Sequence, residues 1–491
     1  MKKISFLIAL YFCGIYSFSQ NITAQLIDKK TSEPVPYATI KTGEFSGAIS
    51  NEEGYFTITT NNDNLKTVII SSLGYQTKTL SIQNIKDASF LIELDEAINQ
   101  LNEVFISNKA PNADSIIAKV RAKIPENYSH ELKKHNIFHR TTESVDFKSL
   151  DFEIEKASRA KKQSLEAANT ELNTLSEKIR ESDMIQFTDF KGAFYSLNKD
   201  SSKLVVNKVT KLMDFKNDFS VDHIQEKAQK IMLRYLDTTK TYKLKTGIFK
   251  IEDSLSLKKK KSEEGKNNEL QLGYLNKQTR GLLKRGQFYK SSFLKGLLNP
   301  DYYEYTFEDI TYNNNELNYI ISFTPRKAKA KYTGKLFVSD GDHAMTRVNY
   351  SYYKNRHGEK LNLKLILGIK YIVNLSKGLF LFEKGLDNKY YPKYIKRTTG
   401  SYFYVNRDLK FIENAQGRNK IGFSIKIEGD NLSKEELLFT GHNTLNLTDF
   451  TAVKQAKVIP VKTLGKFEKT LWENEETLEP LVEMKAFGNE E

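Results

Sequence analysis

Gly47-Ala48-Ile49-Ser50-Asn51-Glu52-Glu53-Gly54-Tyr55-Phe56-Thr57-Ile58-Thr59 reads as strand, acidic turn, strand. Phe56 and Ile58 alternate with Thr57 and Thr59, the period of two that sends one set of side chains to a buried face. Gly54 stands where the turn calls for a positive φ. Toward the N-terminus, Ile22, Ala24 and Leu26 alternate with polar residues. A polar turn follows from Asp28 to Pro34, and Tyr37-Ala38-Thr39-Ile40 is a second strand. Toward the C-terminus, Val68-Ile69-Ile70-Ser71 reads as a buried strand ended by Gly74-Tyr75, with Leu80, Ile82, Leu91 and Leu94 beyond it. Short strands with turn signals at regular spacing predict a β-sandwich over residues 20–106.

Four pieces of this stretch occur in order. They are Asp28…Glu33-Pro34…Pro36-Tyr37-Ala38, then Ser50-Asn51-Glu52-Glu53-Gly54-Tyr55-Phe56, then Ser72-Leu73-Gly74-Tyr75, then Leu101-Asn102-Glu103-Val104. On these residues the stretch resembles the carboxypeptidase regulatory-like domain, a transthyretin-like sandwich. The resemblance implies a folding or docking module with no peptidase chemistry of its own. Such a domain commonly precedes TonB-dependent transporters, but too few residues follow Val104 for a plug and a large barrel. Asp28, Glu52 and Glu53 lack the dense oxygen spacing of a calcium loop and read as turn chemistry.

Residues 1–19 have the form of a secretory leader: Lys2 and Lys3, an apolar stretch from Ile4 to Tyr16, then Ser17-Phe18-Ser19. The expectation is an exported protein, periplasmic or associated with an outer membrane. The one cysteine, Cys13, lies in the leader. Phe12 before it is not the small residue that lipidation favours, and the mature chain is expected to hold no disulfide. A mean hydropathy of −0.53 with 28% charged residues excludes an integral helical membrane protein. The net charge of +14 reads first as Lys-rich solvated loops and second as a surface for anionic lipid, lipopolysaccharide or acidic polymer, and nucleic acid is not expected in that compartment.

Residues 107–300 read as mainly helical. Ala113, Ile116, Ile117, Val120 and Ile124 recur at helical spacing, with Pro125 as the stop. A long amphipathic helix is expected near 152–182, from Phe152 to Ser182, with Leu165, Ala168, Leu172, Leu175 and Ile179 on one face. Asp222 to Leu236 and Tyr274 to Leu298 carry further helical patterns, and Lys258 to Lys266 is a charged loop. Over residues 301–445 the period changes to two. Leu361, Leu363, Leu365, Leu367, Ile369, Tyr371 and Val373 make its clearest run, and Ile421 to Ile427 repeat it. About eight antiparallel strands are expected there, followed by a tail over 446–491 in which Trp472 packs the tail onto the body. The fold class is therefore mainly β with helical segments (α+β): a sandwich, then helices and a large antiparallel sheet covered by the helices at 113–124, 222–236 and 274–298. In architecture that sheet is similar to the half-barrel of periplasmic lipoprotein carriers. With the sandwich, then the Ala113-Asp114-Ser115-Ile116-Ile117 helix leading to Asn127-Tyr128, then the β-rich region, the chain resembles over most of its length a family of Gram-negative envelope proteins with no assigned activity. A small outer-membrane barrel is the competing architecture.

No residue stands out as catalytic, cofactor-binding or metal-ligating. His130-Glu131-Leu132-Lys133-Lys134-His135 places its histidines five apart, on different faces of a helix, where a zinc protease needs four. His139 adds a third imidazole, but His139 to Glu143 is one residue too long for the metallocarboxypeptidase pattern. Asp340-Gly341-Asp342-His343 reads as a turn. The expectation is a non-catalytic envelope protein acting in binding, assembly or lipid handling. Its partners would be an envelope protein or lipid, and no cofactor is expected. The alternative is a peptidase-like hydrolase with an appended regulatory-like domain.

Overall fold

The computed structural model describes residues 21–43, 46–59, 65–97, 111–129, 132–182, 184–214, 227–228, 230–231, 233–247, 249–257, 269–289, 291–415 and 419–489. The leader with Cys13, the piece Leu101 to Val104, His130, Glu131, the Lys258 to Lys266 run and most of the Asp222 to Leu236 pattern lie outside the described residues. The chain divides into two units, 1–100 with 311–316 and 468–485 forming one and the remainder the other.

In the first unit, β1 (Asn21–Asp28) alternates strictly between buried and half-buried positions. It lies between β4 (Tyr55–Thr59), antiparallel, and β7 (Leu91–Leu94), parallel. A second sheet runs β3 (Gly47–Ile49), β2 (Thr39–Lys41), β5 (Thr67–Ser71), β6 (Lys78–Ser81). Ala24, Leu26, Ile40, Phe56, Ile58, Val68, Ile70 and Ile92 make the core, and each large aliphatic or aromatic side chain contributes roughly 1.5–3 kcal/mol by leaving water. This is the expected sandwich, with two local differences: Ile69 and Leu91 are exposed while Ile70 and Ile92 go inside, because alternation rather than hydrophobicity alone assigns the face.

The turn residues are consumed locally. Asp28 accepts from the amides of Lys30 and Thr31 at 2.8 and 2.7 Å. Ser50 Oγ accepts from the Ala38 amide and donates to the Val35 carbonyl, both at 2.9 Å. Asn51 Oδ1 accepts from the amides of Glu53 and Tyr55 at 2.9 Å. Gly54 has φ +78°, and a Cβ there would lie 2.5 Å from the Leu26 carbonyl oxygen. The C-terminal segment completes this unit. Asn51 Nδ2 donates to the carbonyls of Glu479 and Pro480 at 3.3 Å, and both Glu53 carboxylate oxygens accept from the Val482 amide at 3.1 Å. Helix α1 (Ile82–Asp87) opens on a Ser81–Asn84 capping box.

The second unit begins with α2 (Ala113–Asn127), capped by Asn112. It passes through Pro125 instead of stopping there, because a proline in the last turn forfeits only one hydrogen bond. Strand β8 (Lys133–Ala157) follows, then α3 (Lys162–Arg180). The expected helix from Phe152 is thereby corrected: Leu150, Phe152 and Ile154 alternate into the core as strand. Next come β9 (Met184–Ser196), β10 (Ser202–Leu212), β11 (Thr241–Thr246), β12 (Phe249–Ser256), β13 (Glu269–Gln271), α4 (Leu272–Arg285) and α5 (Phe293–Leu297). The stretch expected to be mainly helical thus supplies three long strands of the main sheet.

The remaining strands are β14 (Tyr303–Asn313), β15 (Glu316–Pro325), β16 (Tyr332–Ser339), β17 (Met345–Tyr352), β18 (Lys360–Leu363), β19 (Ile369–Lys384), β20 (Tyr390–Glu413), β21 (Lys420–Thr444), β22 (Val458–Pro460) and β23 (Lys462–Leu464). Strands β14 to β21 are the eight expected. The Leu361 to Val373 run is corrected, however, from one strand to a hairpin: α6 (Lys364–Leu367) and Gly368 at φ +59° turn the chain between β18 and β19. The sheet order is β14-β15-β16-β17-β19-β20-β21-β8-β9-β10-β23, open at both ends. The closed outer-membrane barrel is therefore not this fold. Among the described residues no helix is long and apolar enough to cross a membrane.

Strands β8 and β21, of 25 residues each, run roughly 80 Å at about 3.3 Å per residue. One face carries two cores. At one end Ile137, Phe190, Ile395 and Leu437 pack under α2, α4 and α5. At the other Leu150, Phe152, Phe411 and Phe423 pack under α3. The register of β8 slips by one between Phe147 and Ser149, so the buried set passes from odd to even positions and both cores stay on one face.

Candidate functional site

Helix α2 delivers Asn127 and Tyr128 to the turn between β16 and β17. Asn127 Nδ2 donates to the Asp342 carbonyl at 2.9 Å. The Tyr128 hydroxyl donates to the Met345 carbonyl at 2.9 Å and accepts from its amide at 2.8 Å. The Asp342 carboxylate accepts from the Ala344 amide at 3.1 Å and the Tyr390 hydroxyl at 3.0 Å, and pairs with Lys384 at 2.9 Å. Burial pulls the Asp342 carboxyl upward, but Lys384, the Ala344 amide and Tyr390 outweigh it and hold the group below its ordinary value. Asp340-Gly341-Asp342-His343 is thus a turn, as its sequence indicates, and the place where α2 is pinned.

Beside Tyr128 is a cavity of about 30 Å³ whose lining includes Lys133, His135, Phe288, Tyr390 and Tyr391. His135 faces His442 across β8 and β21, with ring centroids 6.3 Å apart, and the Tyr391 ring is 4.0 Å from His442. Lys133 Nζ donates to the Tyr391 and Thr444 hydroxyls at 3.3 Å, while the Tyr391 hydroxyl donates to Asp387. Burial, with His442 and Lys133 nearby, lowers His135 to about 3. Burial and then Lys133 lower His442 to about 4. Both imidazoles are therefore neutral at neutral pH and far from the value that suits a general base there. The cavity has room for about two waters, against roughly 300–1,000 Å³ for a site that encloses an organic ligand.

His139 is wholly buried, its ring 5.0 Å edge-on to Phe190 and both ring nitrogens without a hydrogen-bond partner. Burial lowers it to about 3. It is four residues along a strand from His135, roughly 13 Å away, so the two imidazoles cannot share an ion. Among the described residues no three His, Cys, Asp or Glu side chains gather where a metal ion would sit. Asp28 and Glu53 lie in the first unit and are occupied by the backbone amides described above.

A feature that sequence reading missed lies on the opposite face. Lys396 of β20, Glu436 of β21, Arg140 of β8 and Asp189 of β9 stand in register across four neighbouring strands. Arg140 grips Asp189 with two hydrogen bonds, at 2.9 and 2.7 Å, and the pair is only 5% and 1% exposed. Tyr394 donates to Glu436 at 2.6 Å. The signal in the sequence is faint, because Arg140 stands between His139 and Thr141 and Asp189 between Thr188 and Phe190.

Residues 22–106 match the family model of the CarboxypepD_reg-like domain. No curated protein matched the chain, and no solved structure did.

Proposed function

We propose that the chain is a non-catalytic exported protein of the cell envelope that works by binding and assembly. One observation carries the non-catalytic half. The cavity that gathers His135, Lys133, Tyr128 and Tyr391 is only about 30 Å³, and burial keeps His135 and the neighbouring His442 uncharged. The regulatory-like sandwich supports the same reading, since its polar turn residues are spent on its own backbone and on the 468–485 segment. The exported half rests on the leader at residues 1–19. Of the activities expected of such a protein, assembly is better supported than lipid carriage, because the helix-covered face of the sheet is filled by its own side chains.

The test is fractionation of the native cells with mass determination of the mature N-terminus, followed by purification without detergent. A chain beginning near Gln20, found in the envelope with a stoichiometric partner, supports the reading. A cytoplasmic chain with its first residues intact, or hydrolysis of peptide substrates that His135→Ala abolishes, overturns it.

A further inference from the structure

The β18–β19 hairpin ends in a turn built to face outward. Leu365 is fully exposed and Ile366 is 69% exposed, while Leu361 and Tyr371, opposite each other across the hairpin, are 46% and 37% exposed. The turn is fixed. The Gly368 carbonyl accepts from the Asn406 amide at 2.8 Å, and a Cβ on Gly368 would lie 2.0 Å from the Asn406 carbonyl oxygen. Leu409, roughly 10 Å farther along β20, pairs with Thr246 of the β11–β12 hairpin, which adds Phe249 at 43% and Ile251 at 54% exposure. Cations stand behind these apolar residues. Lys364 Nζ lies 4.0 Å over the Tyr404 ring and Lys370 Nζ 5.0 Å over the Tyr402 ring. Lys250, Lys360, Arg407 and Lys410 join them, against Glu252, Asp253, Glu359 and Asp408 in the same stretches and Glu428 of β21, which accepts from the Tyr402 hydroxyl at 2.7 Å.

We propose that this tip docks on an anionic lipid surface, with Leu365 and Ile366 entering the acyl boundary and the lysines meeting the headgroups. The inference rests on the envelope reading and names the surface it uses. Single exposed aliphatics are ordinary on a protein. Here they cluster on a convex, glycine-fixed turn with a cationic collar, the arrangement of an interfacial anchor. A protein partner would need a pocket for such a knob, whereas a lipid surface yields around it, and the collar complements anionic headgroups.

Protein purified from its own cells is sedimented with vesicles of phosphatidylcholine and with vesicles that also contain phosphatidylglycerol. The anionic vesicles should retain it. Leu365→Ser with Ile366→Ser should weaken binding at least about tenfold. Lys360→Gln, Lys364→Gln and Lys370→Gln should each weaken it by about fivefold at low salt, an effect that high salt removes. Unchanged urea midpoints confirm that the variants are folded. Binding to neither vesicle, equal binding to both, wild-type binding by the Leu365/Ile366 variant, or dependence on an added protein each overturns the docking. None of these touches the envelope reading, which fractionation decides separately.

Discussion

Midway along the large sheet the charges are inside, and at the tip of the β18–β19 hairpin the hydrocarbon is outside. Arg140 and Asp189 are almost wholly buried, yet they satisfy each other through two hydrogen bonds, with Glu436 and Lys396 continuing the alternation of sign across the strands. Leu365 and Ile366 are exposed, and nothing in the described chain covers them. The row belongs to the stability of the sheet, because every cost of burying it is offset within the chain. The tip belongs to what the chain meets, because its compensation has to come from outside.

The sharpest way to break this contrast is Asp189→Ala. Leaving Arg140 dry and uncompensated should cost about 3–5 kcal/mol, read as a fall in the urea midpoint. Replacing both partners, Arg140→Met with Asp189→Leu, should recover most of the loss. If the single change is nearly neutral, water reaches the row and the contrast fails.

The buried imidazoles give the next effect. His135 and His139 sit at about 3 in the fold and near 6.5 when unfolded. As pH falls below 6.5 the unfolded chain therefore takes up protons first. Their neutral burial is fully tolerated above that value, and stability is lost progressively between about 6.5 and 3, at roughly 1.4 kcal/mol per pH unit for each imidazole. Urea midpoints at about pH 8 and about pH 5 should show the drop, and His139→Leu should make it shallower. A smaller loss, about 1–2 kcal/mol, is expected for Asn51→Ala, which strips the amides of Glu53 and Tyr55 of their acceptor. The least effect is at the tip. Leu365→Ser should leave the midpoint within about 0.5 kcal/mol of wild type, as for an exposed position.

The sandwich was legible because its determinants are local. Period-two alternation, Gly54 and the polar residues around Ser50 and Asn51 act within a few positions of where they are read. The strands beyond residue 302 were legible for the same reason. Strand β8 was not: His139, Arg140 and Thr141 are buried, and their partners on β9 and β21 are invisible in one stretch of sequence. Its apolar end at Phe152 also merged into the stripe of α3. The Leu361 to Val373 run failed in the opposite way. Its alternation is unbroken, and only the positive φ of Gly368 converts it into a hairpin. Of the cavity, His135 could be flagged from sequence, but Tyr391 comes from a distant strand, and the volume that decides what it admits is a property of packing alone.

The pairing of Asn51 with Pro480, 429 positions apart, has a bearing on biosynthesis. The sandwich emerges from the ribosome well before the segment around Glu479 to Val482 that gives Asn51 Nδ2 its acceptors and Glu53 its donor. A product truncated before Glu479 therefore lacks these contacts to Asn51 and Glu53, and limited proteolysis should cut its Ser50 to Tyr55 turn sooner than that of the full chain.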